Sequence, residues 1–384
     1  MFLYSNMNKN VLFIAHDSSL YGANQSLINM ISSLKSKPIN TLVVFPDRGL
    51  ICTKFDELGW DYQVIKFRTE LCGQKGGITN YLLNILRYLY KTFVNFQAFY
   101  KLSSLVKEHD INIIHSNSSV QTLGKKIAKS KKIPHIWHIR EFIHPNNGMN
   151  VFGGIEKYKT KIQNSNNIIC ITQKIANYFN IENKAYILYD AVRREGKNIP
   201  TKFRSNYFLF CGSFDKNKGI EEAIQSFYQV YTQYPDLKLL IVGSGDLNYE
   251  NYLKQKVIEL NLQYNVEFLG FRDDIDELMA NAIAFLMCSR NEALGRVTIE
   301  AMLNYCIVFG YNDGGTSEII SHGKTGFLYE NIDQLVSYMI NIVNEDKNFE
   351  LIRENAYEFA SSNFLEEQFG DRLTDFYNNL YLII

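Results

Sequence analysis

Two carboxylates eight positions apart, Glu292 and Glu300, stand in the segment SRNEALGRVTIEAM (Ser289–Met302). The segment follows the apolar run AIAFLMC and leads into a helix expected to start near Gly295 or Arg296. Glu292 then lies in the loop and Glu300 in the helix. At such a helix start the backbone N–H groups of Leu294, Gly295 and Arg296 are without intrahelical partners and can receive an anionic or hydroxyl-rich ligand. Each carboxylate can accept two hydroxyl hydrogen bonds, so the pair suits a polyhydroxylated ligand. Acids near helix N-termini are also common for electrostatic reasons alone. The pair therefore needs support from its surroundings.

Further candidates sit in other loops that follow apolar runs, where open α/β sheets bind their ligands. HSNSS (His115–Ser119) is lined with hydrogen-bonding groups and makes Asn117 a candidate ligand contact. PHIWHIREF (134–142) brings His138, Arg140 and Glu141 together, although a lone histidine is more often structural than catalytic. No residue pair compels a metal: no Asp-x-Asp occupies a post-strand loop, and DDID (Asp273–Asp276) reads as a solvated helix cap.

The elements that must position these groups alternate. Strands are expected at Asn10–His16, Thr41–Pro46, Ile111–Asn117, Pro134–Ile139 and Asn167–Cys170, with a helix from about Gln25 to Leu34. The rhythm restarts with strands at Tyr207–Gly212, Leu237–Gly243, Val266–Gly270 and Ala282–Ser289, and a final one at Cys306–Tyr311. Helices are expected at Gly219–Tyr234 and Val297–Tyr305. Runs apolar on both faces and separated by helices require a parallel sheet covered on both sides. The polar segment Asp190–Asn206 reads as a linker with its boundary near 195–200. A first domain over 1–195 and a second over 196–365 follow, with a C-terminal helix at about 366–384 returning to the first.

At this point the sequence resembles family 4 of the retaining glycosyltransferases, which have the GT-B fold: two Rossmann-like domains with parallel sheets facing across a deep cleft. Ser289, Glu292, Gly295, Glu300, Ala301 and Met302 meet its Glu-x7-Glu signature. Gly314, Gly315 and Glu318 are similar to its Gly-Gly-x-x-Glu element, and Gly323, Gly326 and Leu328 to the element that closes it. Lys218-Gly219 and the Val-Gly-x-Gly of Gly243 and Gly245 lie upstream in matching order. The resemblance covers nearly all of 207–330.

It implies that Glu300 holds the nucleotide's ribose hydroxyls. Glu292, with Ala293, Leu294 and Gly295, would hold the transferred sugar, and Lys218 would neutralise the diphosphate. Gly212, Gly243 and Gly22 belong to the loops that approach the phosphates. Ser213 stands where many relatives carry an arginine, and Arg296 is the candidate substitute. In the first domain only Gly22 and Ala23 match the family's Gly-Gly-Ala-Glu loop, Asn24 replacing the acid. His138 falls at the transferred sugar, with Arg140 and Glu141 near the acceptor. The implied reaction retains the anomeric configuration, uses no metal and no cofactor, and takes a UDP-sugar most commonly.

Bulk properties agree with such an enzyme. Across 384 residues, 40 basic and 40 acidic groups cancel, so general attraction to nucleic acid is not expected. The six cysteines form no CxxC pair and read as reduced thiols in a cytoplasmic protein. The start MFLYSNMNKN does not read as a secretory signal, and no run reaches the roughly 18–20 apolar residues of a membrane span. From Leu71 to Lys107 there is no Asp or Glu among many aromatics. This segment reads either as one or two helices packed on the first sheet or as a surface for anionic lipid. The second reading suggests a lipid-linked glycan acceptor at the inner membrane face, in capsule, lipopolysaccharide or exopolysaccharide assembly. Two rival readings are a nicotinamide-dependent dehydrogenase and a GT-B-fold binding protein without turnover. The first is opposed by GSGDLN (Gly243–Asn248), which lacks the third glycine of a dinucleotide fingerprint. The second is motivated by Ser213 and Asn24.

Overall fold

The computed structural model describes residues 8–20, 22–72, 77–143, 149–151, 153–192, 205–344 and 349–380, with the side chains of the long helix from residue 85 onward. Most of the expected linker, including its boundary near 195–200, lies outside these residues. The chain divides into two units, Met1–Ala191 with Glu366–Ile384, and Val192–Leu365.

The first unit runs β1 (Lys9–Ile14), α1 (Gly22–Leu34), β2 (Ile39–Phe45), α2 (Leu50–Leu58), β3 (Tyr62–Val64), β4 (Leu71–Cys72), α3 (Gly77–Glu108), β5 (Ile113–Ser116), α4 (Leu123–Lys131), β6 (His135–Ile139), β7 (Asn150–Val151), α5 (Ile155–Gln163), β8 (Asn167–Cys170), α6 (Gln173–Tyr178) and β9 (Tyr186–Ile187). The second runs β10 (Tyr207–Cys211), α7 (Ile220–Tyr231), β11 (Lys238–Val242), α8 (Leu247–Glu259), β12 (Val266–Gly270), α9 (Ile275–Asn281), β13 (Ala284–Met287), α10 (Arg296–Leu303), β14 (Ile307–Tyr311), α11 (Thr316–Ile319), β15 (Phe327–Tyr329), α12 (Ile332–Val343) and α13 (Phe349–Asn363). The last helix, α14 (Glu366–Asn378), belongs to the first unit.

Each unit is built on a parallel sheet. The first has strand order β3-β2-β1-β5-β6-β8-β9 and the second β12-β11-β10-β13-β14-β15. β4 and β7 form a separate antiparallel pair. Alternation along β1 shows why both faces must be covered. Val11 and Phe13 join a core with Leu27 and Ile31 of α1 and Leu373 of α14, whereas Leu12 and Ile14 join one with Ala98, Leu102 and Leu105 of α3 and Ile127 of α4.

Two differences from the sequence expectations have physical causes, and one open alternative is resolved. Cys306–Tyr311 is not the last strand, because the three-residue β15 pairs beyond it, too short to show a period. α1 begins at Gly22 rather than near Gln25, its first turn being polar. The acid-free segment contains one continuous helix, α3, which packs on the sheet through Ala98, Leu102, Leu105 and Val106.

Candidate active site

In the second unit the strand order reverses between β10 and β13, and the loops leaving those two strands flank the place where open α/β sheets bind ligands. After β10 the chain passes Gly212 and Ser213 into a tight turn. The Asp215 carboxylate accepts from the Asn217 N–H at 2.8 Å, and the Lys218 N–H donates to the Asp215 carbonyl at 2.9 Å. Gly219 follows at φ 71°, and a Cβ there would lie 2.3 Å from the Cys288 carbonyl oxygen. Only glycine allows this turn to seat against the start of the loop after β13. The Arg290 N–H completes the seating by donating to the Asn217 carbonyl at 3.0 Å.

That docking brings Lys218 and Glu292 into an ion pair, though they are 74 positions apart. The backbone of Glu292 is held from the other side. Its carbonyl accepts from the Gly315 N–H at 2.7 Å, and a Cβ on Gly314, at φ 52°, would lie 2.4 Å from the same oxygen. The Asn291 N–H donates to Asp313 at 2.8 Å. The two-glycine element therefore shapes the loop that carries Glu292.

Gly295 caps α10 in the left-handed region, and the helix starts at Arg296. Arg296 lies 3.8 Å from Glu300 one turn later. Glu300 also faces the end of β10: the Cys211 thiol is pushed up to about 12, first by burial and then by the charge of Glu300. Leu294 is buried, which leaves its main chain as the group it can offer, whereas Ala293 is half-buried. Gly243 serves a different purpose. Its N–H donates to Gly270 at 2.8 Å and the Gly212 N–H to Val242 at 3.0 Å, tying the ends of neighbouring strands together. Arg290, which sequence reasoning passed over, bonds Glu222 at 2.8 Å and stacks its guanidinium 4.3 Å from the Tyr311 ring centroid.

The first unit reverses its strand order between β1 and β5. Here the structure places a pair that the sequence reading missed, His16 and Asp17, with Nε2 and Oδ2 3.1 Å apart. Burial works to lower the His16 pKa, but the hydrogen bond and charge of Asp17 outweigh it and the pKa is raised. Asp17 is held below the usual carboxylate range: burial acts to raise its pKa, and the hydrogen bond and charge of His16 and hydrogen bonds from Ser19 prevail. Their position directly after β1 was the available signal. Asn24 donates its amide to Asp17 at 2.5 Å and to the Ser19 carbonyl at 2.9 Å. A carboxylate at position 24 would face another carboxylate, so the departure from the family's acid follows from Asp17. Gly22 opens α1, and the neighbouring Ala23 carbonyl accepts from Asn117 at 3.3 Å.

Asn117, His138 and Arg140 are brought together, but as a buried network. Arg140 Nε donates to Asn117 Oδ1 at 3.0 Å, its Nη1 pairs with Asp190, and its Nη2 lies 3.2 Å from His138 Nδ1. His138 Nδ1 is in turn 3.0 Å from His115 Nε2, and His115 Nδ1 is 2.8 Å from the Tyr377 hydroxyl of α14. Burial and then the Arg140 charge drive the pKa of both histidines well below the ordinary value, so both are neutral. His138 Nε2 has no hydrogen-bond partner and sits 3.9 Å from Asp190. Glu141 turns to the loop after β5, accepting from Ser118 Oγ at 2.8 Å and from the Ser119 N–H and Oγ at 2.7 and 2.6 Å. Among the described residues no group of three His, Cys, Asp or Glu side chains is arranged to hold a metal ion.

Two parallel-sheet units, the second with acid and base groups gathered on glycine-shaped loops, have the architecture of the GT-B fold. Residues 193–359, most of the second unit, match the family described as glycosyl transferases group 1. It is 26% identical over 275 residues to an uncharacterized glycosyltransferase of Methanocaldococcus jannaschii, covering 68% of this chain and 74% of that one. It is 24% identical over 315 residues to the alpha-monoglucosyldiacylglycerol synthase of Streptococcus pneumoniae, covering 73% and 69%. Other curated relatives match over less than half of their own length, 44% in one case and 21% in another. The fold is similar to that of Anabaena HepE in complex with UDP, with TM-score 0.76 and 19% identity over 95% of this chain and 98% of that one.

Proposed function

We propose that this chain is a retaining glycosyltransferase that moves a sugar from a UDP-sugar to a hydroxyl of a glycan or lipid-linked glycan in cell-surface polysaccharide assembly. The observation that carries the reading is the Lys218–Glu292 pair at the β10/β13 switch point, beside Glu300 and the start of α10. In the free protein the ammonium and the carboxylate neutralise each other. An arriving diphosphate draws Lys218 to itself, with Arg296 beside it, and Glu292 is released to accept hydroxyls of the sugar together with the Leu294 and Gly295 amides. Glu300 takes the ribose hydroxyls. UDP as the nucleotide is supported by the ligand of the HepE structure.

In the reaction the bond from the anomeric carbon to the diphosphate oxygen breaks and a bond to the acceptor oxygen forms on the same face. The acceptor's proton passes to the departing diphosphate. The protein supplies position and positive charge, worth most at a water-poor site. Lys218 and Arg296 stand in for a divalent ion, so a chelator is expected to leave turnover intact. Thermal unfolding across a panel of UDP-sugars, followed by release of UDP with and without acceptor, tests the assignment. A raised melting temperature and slow UDP release are expected; no stabilisation by any of them, and no release, would contradict it.

The acceptor reading rests on α3. Its outward side exposes Leu86, Leu89, Phe93, Phe96 and Tyr100, and Phe93 is 60% exposed. Arg87 and Lys101 flank this row, and the Tyr90 hydroxyl faces Lys66 and Arg68, whose hydrogen bonds and charge lower its pKa. Basic groups bordering exposed aromatics suit an anionic lipid surface. No helix among the described residues is long and apolar enough to cross a membrane. The site of action is proposed to be the membrane surface at the cytoplasmic face, where a nucleotide sugar would be met. The similarity to a diacylglycerol-glycoside synthase supports a lipid-linked acceptor. Flotation with vesicles containing anionic lipid is expected to carry the protein at low salt, and a stable dimer that ignores vesicles would overturn this part.

A further inference from the structure

The inward edge of the same helix borders a cavity of about 270 Å³ in the first unit, between α3, the strand β4 and the start of α4. Its walls are of two kinds. Leu71, Phe96, Phe99 and Leu123 supply apolar surface, and Arg87, Lys91 and Lys126 bring positive charge against a single acid, Glu70. Glu70 accepts from the Thr122 hydroxyl, and its charge acts on Lys91. Lys91 donates to the carbonyls of Thr69 and Leu71, which uses two of the three hydrogens of an ammonium and leaves one. Among the described residues neither Arg87 nor Lys126 has an ion-pair partner.

The volume lies just below the roughly 300–1,000 Å³ of ordinary small-molecule sites, so the cavity takes part of a ligand. Phe96 belongs both to the cavity wall and to the exposed row on α3, and is 59% exposed. Phe96 packs edge-on against Tyr100, with ring centroids 5.0 Å apart, so an apolar chain leaving the cavity meets further aromatic surface. On the other side, the Glu70 N–H donates to the Val120 carbonyl at 2.7 Å, which joins the cavity rim to the loop after β5 that carries Asn117. Cations at the mouth, an apolar wall and an apolar path outward describe one class of ligand.

We infer that this cavity binds a lipid phosphate, a single apolar chain ending in a phosphate, with Arg87, Lys91 and Lys126 on the phosphate and the chain laid along α3. Burial, the first cause of the lowered Lys91 pKa, makes a phosphate an effective partner for it. The inference deepens the proposed function by naming the anchor of its acceptor, but the binding itself does not depend on sugar transfer.

Calorimetric titration of the full chain with farnesyl monophosphate below its aggregation concentration tests it. Binding at least tenfold tighter than farnesol is expected, with no competition from millimolar inorganic phosphate. The double variant Arg87→Glu/Lys126→Glu reverses the charge at two of the three cations, and Thr92→Trp fills the space from an exposed position. Each is expected to weaken farnesyl phosphate at least tenfold while leaving the melting curve and the stabilisation by UDP unchanged. Equal affinity for farnesol, competition by inorganic phosphate, or undiminished binding in both variants would overturn the site. Farnesyl phosphate binding in a protein that ignores UDP would sink the proposed donor instead and leave this site standing.

Discussion

At the carboxyl ends of β10 and β13, charged groups remain within reach of a ligand: Lys218 is 32% and Glu292 18% exposed. At the ends of β5 and β6 in the first unit, Asn117, His138 and Arg140 are turned inward and bonded to one another. Both units use a parallel sheet whose order reverses at its centre. The difference lies in what holds the loops. The second unit shapes them with glycines packed on backbone carbonyls, which leaves the side chains for a ligand. The first holds them with polar side chains, which are then no longer available. Its accessible chemistry moves outward to His16, Asp17 and the aromatic face of α3.

The sharpest way to break this comparison is to remove a side chain that the second unit leaves accessible. Lys218→Ala is expected to lower the rate of UDP release about 10²–10³-fold at saturating donor, as loss of one electrostatic contact to a transition state does, whereas Glu300→Gln is expected to raise the donor KM. Initial rates across donor concentrations would show both. Unchanged kinetics in both variants would mean that these side chains are as structural as Arg140.

The claim that glycines shape the second unit is tested by Gly219→Ala. A Cβ 2.3 Å from the Cys288 carbonyl, at φ 71°, is expected to cost about 3 kcal/mol. Hydrogen exchange should quicken in α7 and in the loop after β13, while β5 and β6 keep their protection.

The buried network of the first unit predicts a contrast in pH dependence. Burial lowers the pKa of His115, His138 and His135, the last to about 3. The unfolded state therefore binds protons below about 6.5 that the native state refuses, and stability is lost as pH falls through that value. Each histidine contributes a slope of up to about 1.4 kcal/mol per pH unit. His16, with its raised pKa, works in the opposite direction and offsets part of the loss. The second unit has one histidine, His322, which is exposed. Exchange protection in β5 and β6 should drop between pH 7 and 5 more than in β10 and β13.

The smallest effect belongs to α3. Phe93→Ser is expected to change stability by no more than about 0.5 kcal/mol, as exposed substitutions do, and yet to weaken vesicle flotation. A large loss of stability would show that Phe93 is packed in the protein's working state.

Much of the second-unit site could be read from sequence because its parts are local. Lys218-Gly219, Glu292 to Gly295 and Gly314-Gly315 each sit in a short turn after an apolar run, and their spacing is set by backbone geometry. The network of the first unit is not local. Arg140 meets Asp190 fifty positions away, and His115 meets Tyr377 at 262, so neither contact has a signature in spacing. The short strands β3, β9 and β15 were invisible for a related reason, since two or three residues carry no period. For α3 the sequence showed the missing acids but not which residues face out, because aromatic and aliphatic side chains occupy both sides of the helix.

One measurement bears on the central claim directly: calorimetric titration of UDP into the wild-type chain and into Glu300→Gln. UDP is expected to bind the wild type, with affinity at least tenfold weaker in the variant. Equal affinity in the two proteins, or no binding to either, would contradict the account.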